Sequence, residues 1–175
     1  TGGVGASLAL LGKQVLCLDG DVGLRNLDIT LGMTDAALMD FSDVMAGRCD
    51  LSRAAVPHPT VSGLHLLTAP LTLPGDFPGE AGFQALLQQA REAYDYVLID
   101  SPAGLGPGFR LAVCGADRAI VVAVSDPSSL RDAQRVVTQL SQLETIHLVV
   151  NRVRPRLLRR QNTTIDDAMD TAGLP

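Results

Sequence analysis

Ten residues, Asp19-Gly20-Asp21-Val22-Gly23-Leu24-Arg25-Asn26-Leu27-Asp28, place two carboxylates two positions apart directly after the apolar run Gln14-Val15-Leu16-Cys17-Leu18. A third carboxylate, Asp100, closes the run Tyr96-Val97-Leu98-Ile99 in the same way. Carboxylates so placed can hold a divalent cation, directly or through water, or orient an attacking water, which is what phosphoryl transfer requires. Parallel strands deliver their carboxyl ends to one crevice, so Asp19, Asp21 and Asp100 are taken together as a candidate metal and phosphate edge. Each could equally cap a helix or sit in a surface loop, but their joint occurrence after apolar runs favours the shared edge.

Other residues add weaker signals. Asn151 follows Ile146-His147-Leu148-Val149-Val150 and has a carboxamide able to read an adenine edge or to close a turn. Beside it, Arg152 and Arg154 can flank a base or a phosphate, whereas Arg156, Arg159 and Arg160 read as solvated. Gly2-Gly3-Val4-Gly5 lacks the Gly-Lys-Ser/Thr of a phosphate loop and reads better as small residues on a helix packed closely against a sheet. His58 and His147 form no catalytic or metal-binding pair by spacing, and no Ser-His-Asp order is evident.

The elements that must position these groups follow an α/β pattern. Leu8 to Leu11 reads as the end of a buried helix stopped by Gly12, and 14–18 as a fully buried strand. Residues 20–35 read as loop, 41–45 and 51–55 as short helices, and Pro57, Pro59 and Gly63 as turn punctuation. Leu64 to Ala69 is a second strand; Phe83, Leu86, Leu87 and Ala90 have helical spacing; Tyr96 to Asp100 is a third strand. After a short helix ending near Ala116 come a strand at 119–124, a helix entered through Asp126-Pro127-Ser128-Ser129, a strand at 146–150 and a helix at 165–172. Polar ends recur at Asp19, Asp100, Ser125-Asp126 and Asn151, giving one expected edge with right-handed crossovers.

Composition sets the class. The 175 residues suit one domain with an aliphatic core, since apolar residues make up 46% and aromatics only 3%. A net charge of −5 gives no global attraction to nucleic acid, and no nucleic-acid partner is expected. Cys17, Cys49 and Cys114 lack metal-ligand spacing and read as free thiols in a reducing compartment. No apolar run reaches the roughly 18 to 20 residues needed to span a bilayer, and the opening segment lacks the basic start of a signal peptide.

The acidic segment 19–28, together with Asp100-Ser101-Pro102-Ala103-Gly104, Asp126-Pro127-Ser128-Ser129-Leu130-Arg131-Asp132 and Asn151-Arg152-Val153-Arg154-Pro155, resembles the deviant P-loop ATPases of the ParA/MinD family. Segment 19–28 is most similar to the branch that determines the septum site. The resemblance implies a three-layer P-loop NTPase-like fold, with a mainly parallel sheet flanked by helices. By the same resemblance Asp21 would position the hydrolytic water, Asp100 and Asp19 would serve Mg²⁺, Gly104 would approach the γ-phosphate through its amide, and Asn151 with Arg152 would bind adenine.

In that family a central strand and a phosphate loop with two lysines precede the helix that Thr1 to Leu11 resembles. The expectation is therefore a single ATPase domain over 1–175, truncated ahead of Thr1 and also at its C-terminal side, and inactive by itself. The implied activity is an Mg-dependent ATP hydrolase that binds ATP and ADP and switches by ATP-driven homodimerisation. Implied partners are an inhibitor of the MinC type, an activator of the MinE type, and an anionic membrane surface reached through a C-terminal helix. That places the protein in the cytoplasm and peripherally at the inner face of the membrane. Alternatives are a relative that positions plasmids, chromosomes or flagella, a non-catalytic nucleotide-binding scaffold, and a small-molecule α/β enzyme.

Overall fold

The computed structural model describes residues 1–156 and 164–173; Arg159 and Arg160 lie outside the described residues. The chain divides into two compact units, Thr1–Gly115 and Ala116–Pro175.

The first unit contains α1 (Gly2–Leu10), β1 (Val15–Asp19), α2 (Leu27–Thr30), α3 (Phe41–Met45), α4 (Leu51–Ala54), β2 (Val56–Pro57), β3 (Leu64–Leu67), α5 (Gly79–Ala93), β4 (Tyr96–Asp100) and α6 (Pro107–Val113). Its sheet has the order β2-β3-β1-β4. β1 runs parallel to both β3 and β4, and only β2 is antiparallel. Every residue of β1 is buried, because its side chains alternate between two filled layers. Leu16 and Leu18 join a cluster with Phe41, Phe83, Leu86 and Leu87, while Val15 and Cys17 join Ala9, Leu27, Met33 and Leu64 on the other face. The expected helical face of α5 is the one that is buried: Phe83, Leu86, Leu87 and Ala90.

Several expectations for this unit are corrected. α1 buries only Gly2, Gly5 and Ala9, whereas Leu10 and Leu11 are exposed. The close fit of α1 on β1 explains it: a Cβ on Gly5 would lie 2.4 Å from the Cys17 Sγ, so the contact face admits only small residues. Within the expected loop 20–35 lies α2. Pro57 is part of the edge strand β2, a place where its missing N–H is tolerated. α6 begins at Pro107, its first helical position, and ends at Val113, short of the expected end near Ala116.

The second unit contains β5 (Arg118–Val124), α7 (Pro127–Gln139), β6 (Thr145–Asn151) and α8 (Ile165–Ala172). β5 and β6 form a parallel pair in register from Arg118 opposite Thr145 to Val124 opposite Asn151. Val121 and Ala123 are buried, with α7 packed on β5, whereas the alternate residues Ile120 and Val122 are exposed, as is Val149 of β6. Asp126 caps α7 by accepting the amides of Ser128 and Ser129, and Thr164 and Asp167 form a reciprocal cap on α8. The α/β class and mainly parallel pairing agree with expectation. Asp19 and Asp100 end strands of the first unit's sheet; in the second unit Asn151 ends β6 and Asp126 caps the helix that follows β5.

Candidate functional site

The ladder between β1 and β4 ends with Asp19 opposite Asp100. One residue further on, the Gly20 amide donates to the Asp100 carbonyl at 2.9 Å, prolonging the pairing past the strand. A Cβ on Gly20 would meet that same carbonyl oxygen at 2.8 Å, so the approach requires glycine. Backbone contact thus brings together two of the three carboxylates singled out by sequence.

Asp19 is 1% exposed. Its Oδ1 accepts the Asp21 amide at 2.9 Å, and its Oδ2 accepts the Leu27 amide at 3.1 Å. Burial pushes its carboxyl above the ordinary carboxylate value; the two amides pull the other way, and the negative charges of Asp100 and Asp21 add to the rise. Asp21 is half-buried at the start of the Gly20–Asn26 segment. That segment turns through left-handed conformations at Gly23 (φ 93°) and Arg25 (φ 47°). The Gly23 amide donates to the Pro70 carbonyl at 3.1 Å, tying the segment to the loop after β3.

Asp100 is half-buried, and its Oδ1 accepts the Thr1 hydroxyl. Thr1 is the N-cap residue of α1, so the start of that helix lies at the same sheet edge. Gly104, in the loop between β4 and α6, has φ 83°, a conformation that suits glycine, and open space where a Cβ would stand. The residue is exposed.

In the second unit, Asn151 and Arg152 are exposed at the end of β6. The Asn151 Oδ1 accepts the Arg152 amide at 2.8 Å, and Arg152 has φ 51°. The carbonyl side of the carboxamide thus takes part in a local turn, and its NH₂ group remains a donor.

Among the described residues no group of three or more His, Cys, Asp or Glu side chains is arranged to hold a metal by itself. The edge nevertheless fits Mg²⁺, which commonly takes one or two carboxylates and fills its remaining positions with phosphate oxygens and water. Asp100, half-buried and already accepting a hydroxyl, is the accessible donor of such a set. An open pocket of about 510 Å³, lined by Gln14 and residues 57–65, lies at the opposite ends of β1 and β3 and contains no predicted site residue.

Three contributors were not singled out from sequence. Thr1 gave no signal, because its partner is 99 positions away. Asp28 is buried with Arg25 4.0 Å from it, and here the i, i+3 spacing was a usable sign that Arg25 is more than a solvated loop residue. Gly20 was visible as a glycine but not as a contact with Asp100.

A family model described as an AAA domain matches residues 1–156. The septum site-determining protein MinD of Synechocystis is 38% identical over 178 residues, covering all of this chain and 67% of its own length. Among solved structures, the MinC:MinD cell division protein complex of Aquifex aeolicus gives a TM-score of 0.88 at 34% identity, over 99% of this chain and 70% of that one. A Pyrococcus horikoshii septum site-determining protein MinD complexed with Mg-ADP gives 0.79 at 25% identity, over 98% and 70%. The chain spans roughly two thirds of the curated relatives it matches, between 61% and 67% for four of them. The family model, the sequence identity and the fold agree: the chain belongs to the MinD branch of the ParA/MinD-type ATPases.

Proposed function

We propose that this chain is the greater part of an Mg-dependent ATPase switch that acts in placing the division site. The observation that carries the proposal is the paired end of β1 and β4, where Asp19 and Asp100 stand in register with the start of α1 alongside. The family's central strand and phosphate loop are proposed to precede Thr1, within one ATPase domain. That β4 is the end strand of its sheet among the described residues, and that the Thr1 hydroxyl donates to Asp100, support that arrangement. An intact mass of about 18.4 kDa for the natural protein would overturn it.

When bound, Mg²⁺ would neutralise phosphate charge. Asp100 would hold it through its water shell, and Asp19 would assist by shaping the segment that follows. Asp21 would orient the attacking water, whose proton needs an acceptor within hydrogen-bond reach. The Gly104 amide would donate to the γ-phosphate, a contact that needs no side chain. Asn151 would hold adenine with Arg152 beside it.

ATP-driven homodimerisation is proposed to couple this site to membrane and partner binding. The partner class is supported by the Aquifex relative, whose structure is a complex of MinC with MinD. An activator of the MinE type and a peripheral position on the inner membrane face complete the proposal. No described helix is long and apolar enough to cross a membrane.

Phosphate release by the full-length protein tests the mechanism. The Asp21→Ala variant should hydrolyse ATP about 100-fold or more slowly, the range in which loss of a positioned proton acceptor falls. Unchanged hydrolysis would remove the role given to Asp21.

A further inference from the structure

The Gly20–Asn26 segment has few strong internal ties. Leu24 and Arg25 each donate to the Asp21 carbonyl at 3.3 Å, and Val22 donates to Gly20 at 3.2 Å. These are long hydrogen bonds. Arg25 also adopts a left-handed conformation (φ 47°) that residues with a side chain rarely adopt. Such a segment needs an external anchor to keep one shape.

Asp19 supplies two. One carboxylate oxygen holds the amide of Asp21 near the beginning of the segment, and the other holds the amide of Leu27 just beyond its end. Leu27 is the first residue of α2, whose own N-cap residue, Asn26, makes no side-chain capping bond. Asp19 therefore performs across the loop the task that a capping side chain performs locally. Both of its oxygens are engaged and the residue is 1% exposed, which leaves little room for a hydrated cation.

We infer that Asp19 is a positioning residue, a two-pronged anchor that fixes the Gly20–Asn26 segment and with it Asp21, and that it does not ligate a divalent cation. The inference rests on the proposed function only for the task assigned to Asp21; the anchor itself is independent of nucleotide.

The test uses the full-length protein. Without nucleotide, NMR should detect through-hydrogen-bond couplings from the amide nitrogens of Asp21 and Leu27 to the Asp19 carboxylate carbon. In Asp19→Asn, which places NH₂ against one of the two amides, those amides should exchange with solvent at least tenfold faster, while Leu86 and Leu87 in α5 keep their rates. Binding of Mn²⁺ with ADP should stay within twofold of wild type in Asp19→Asn and weaken at least tenfold in Asp100→Asn. If hydrolysis is present, kcat should fall in Asp19→Asn with KM within twofold.

Absence of both couplings would overturn the anchor, as would unchanged exchange at both amides. A loss of Mn²⁺ affinity in Asp19→Asn equal to that in Asp100→Asn would make Asp19 a ligand instead. Should Asp19→Asn fail to fold, the wild-type couplings decide. Should the protein bind and hydrolyse no nucleotide, the ATPase reading fails while the couplings and exchange still judge the anchor.

Discussion

Gly5 and Cys17 are a fitted pair. With a Cβ on residue 5 only 2.4 Å from sulfur and 3.3 Å from Leu64, Gly5→Ala overfills the contact between α1 and β1. Overpacking of this kind costs about 1–3 kcal/mol, so urea unfolding should show a loss in that range. Cys17→Ala made in the same chain should recover much of it, and a double variant no more stable than Gly5→Ala alone would mean that the clash lies elsewhere. The thiol itself should be inert. Burial foremost pushes Cys17 up to about 11, and the side chain has no exposure. The unfolded chain gives up this proton near 9, so the thiol's contribution to stability falls as pH rises from 9 towards 11. A thiol reagent at pH 8 should modify the half-buried Cys49 and Cys114 before Cys17, and early labelling of Cys17 would contradict the packing. Sequence made the small residues of α1 readable as a packing face. It could not show that sulfur was the partner, because that contact is decided by the register of helix on sheet.

At the scale of elements, caps fix where helices start. Asp40 and Asp43 form a reciprocal cap on α3, with Asp40 accepting the amides of Ser42 and Asp43 and Asp43 accepting that of Asp40. Asp40→Ala should cost about 1 kcal/mol in urea unfolding, and a change below a few tenths would show that packing of Phe41 alone holds α3. Elements with a strong internal period were legible: the four buried residues of α5, the run of β1, and α8 at its observed limits. Those set by distant partners were not. Pro57 reads locally as a turn and becomes a strand only because β3 offers an edge. α2 is four residues long and depends on Asp19, eight positions before its first amide, for a cap that no local pattern contains. The candidate site was legible for the same reason as β1, since aspartates close apolar runs, but the engagement of both Asp19 oxygens was not, since hydrogen bonding across a loop leaves no spacing rule.

For the molecule as a whole, His65 gives stability a pH dependence above the carboxylate range. Burial foremost lowers its pKa, a backbone hydrogen bond at Gly63 opposes this, and the buried Nδ1 has no hydrogen-bond partner. The folded state thus prefers the neutral ring while the unfolded chain takes a proton near about 6.5. Stability should therefore decline as pH falls below about 6.5. Thermal unfolding of His65→Phe, which keeps a ring against Tyr94, should show a shallower decline over that window; an identical slope would assign it to another group. The net charge of −5 is likewise an average that hides local crowding. Asp19 and Asp100 face one another at the end of a ladder whose spacing is held by the bare backbone of Gly20. One added methyl group there would push two negative charges apart and retune the field any anion or cation meets, with every chemically active side chain still in place. The gauge of this site is an absent atom: its electrostatics depend on a residue that carries no charge and no polar group on its side chain.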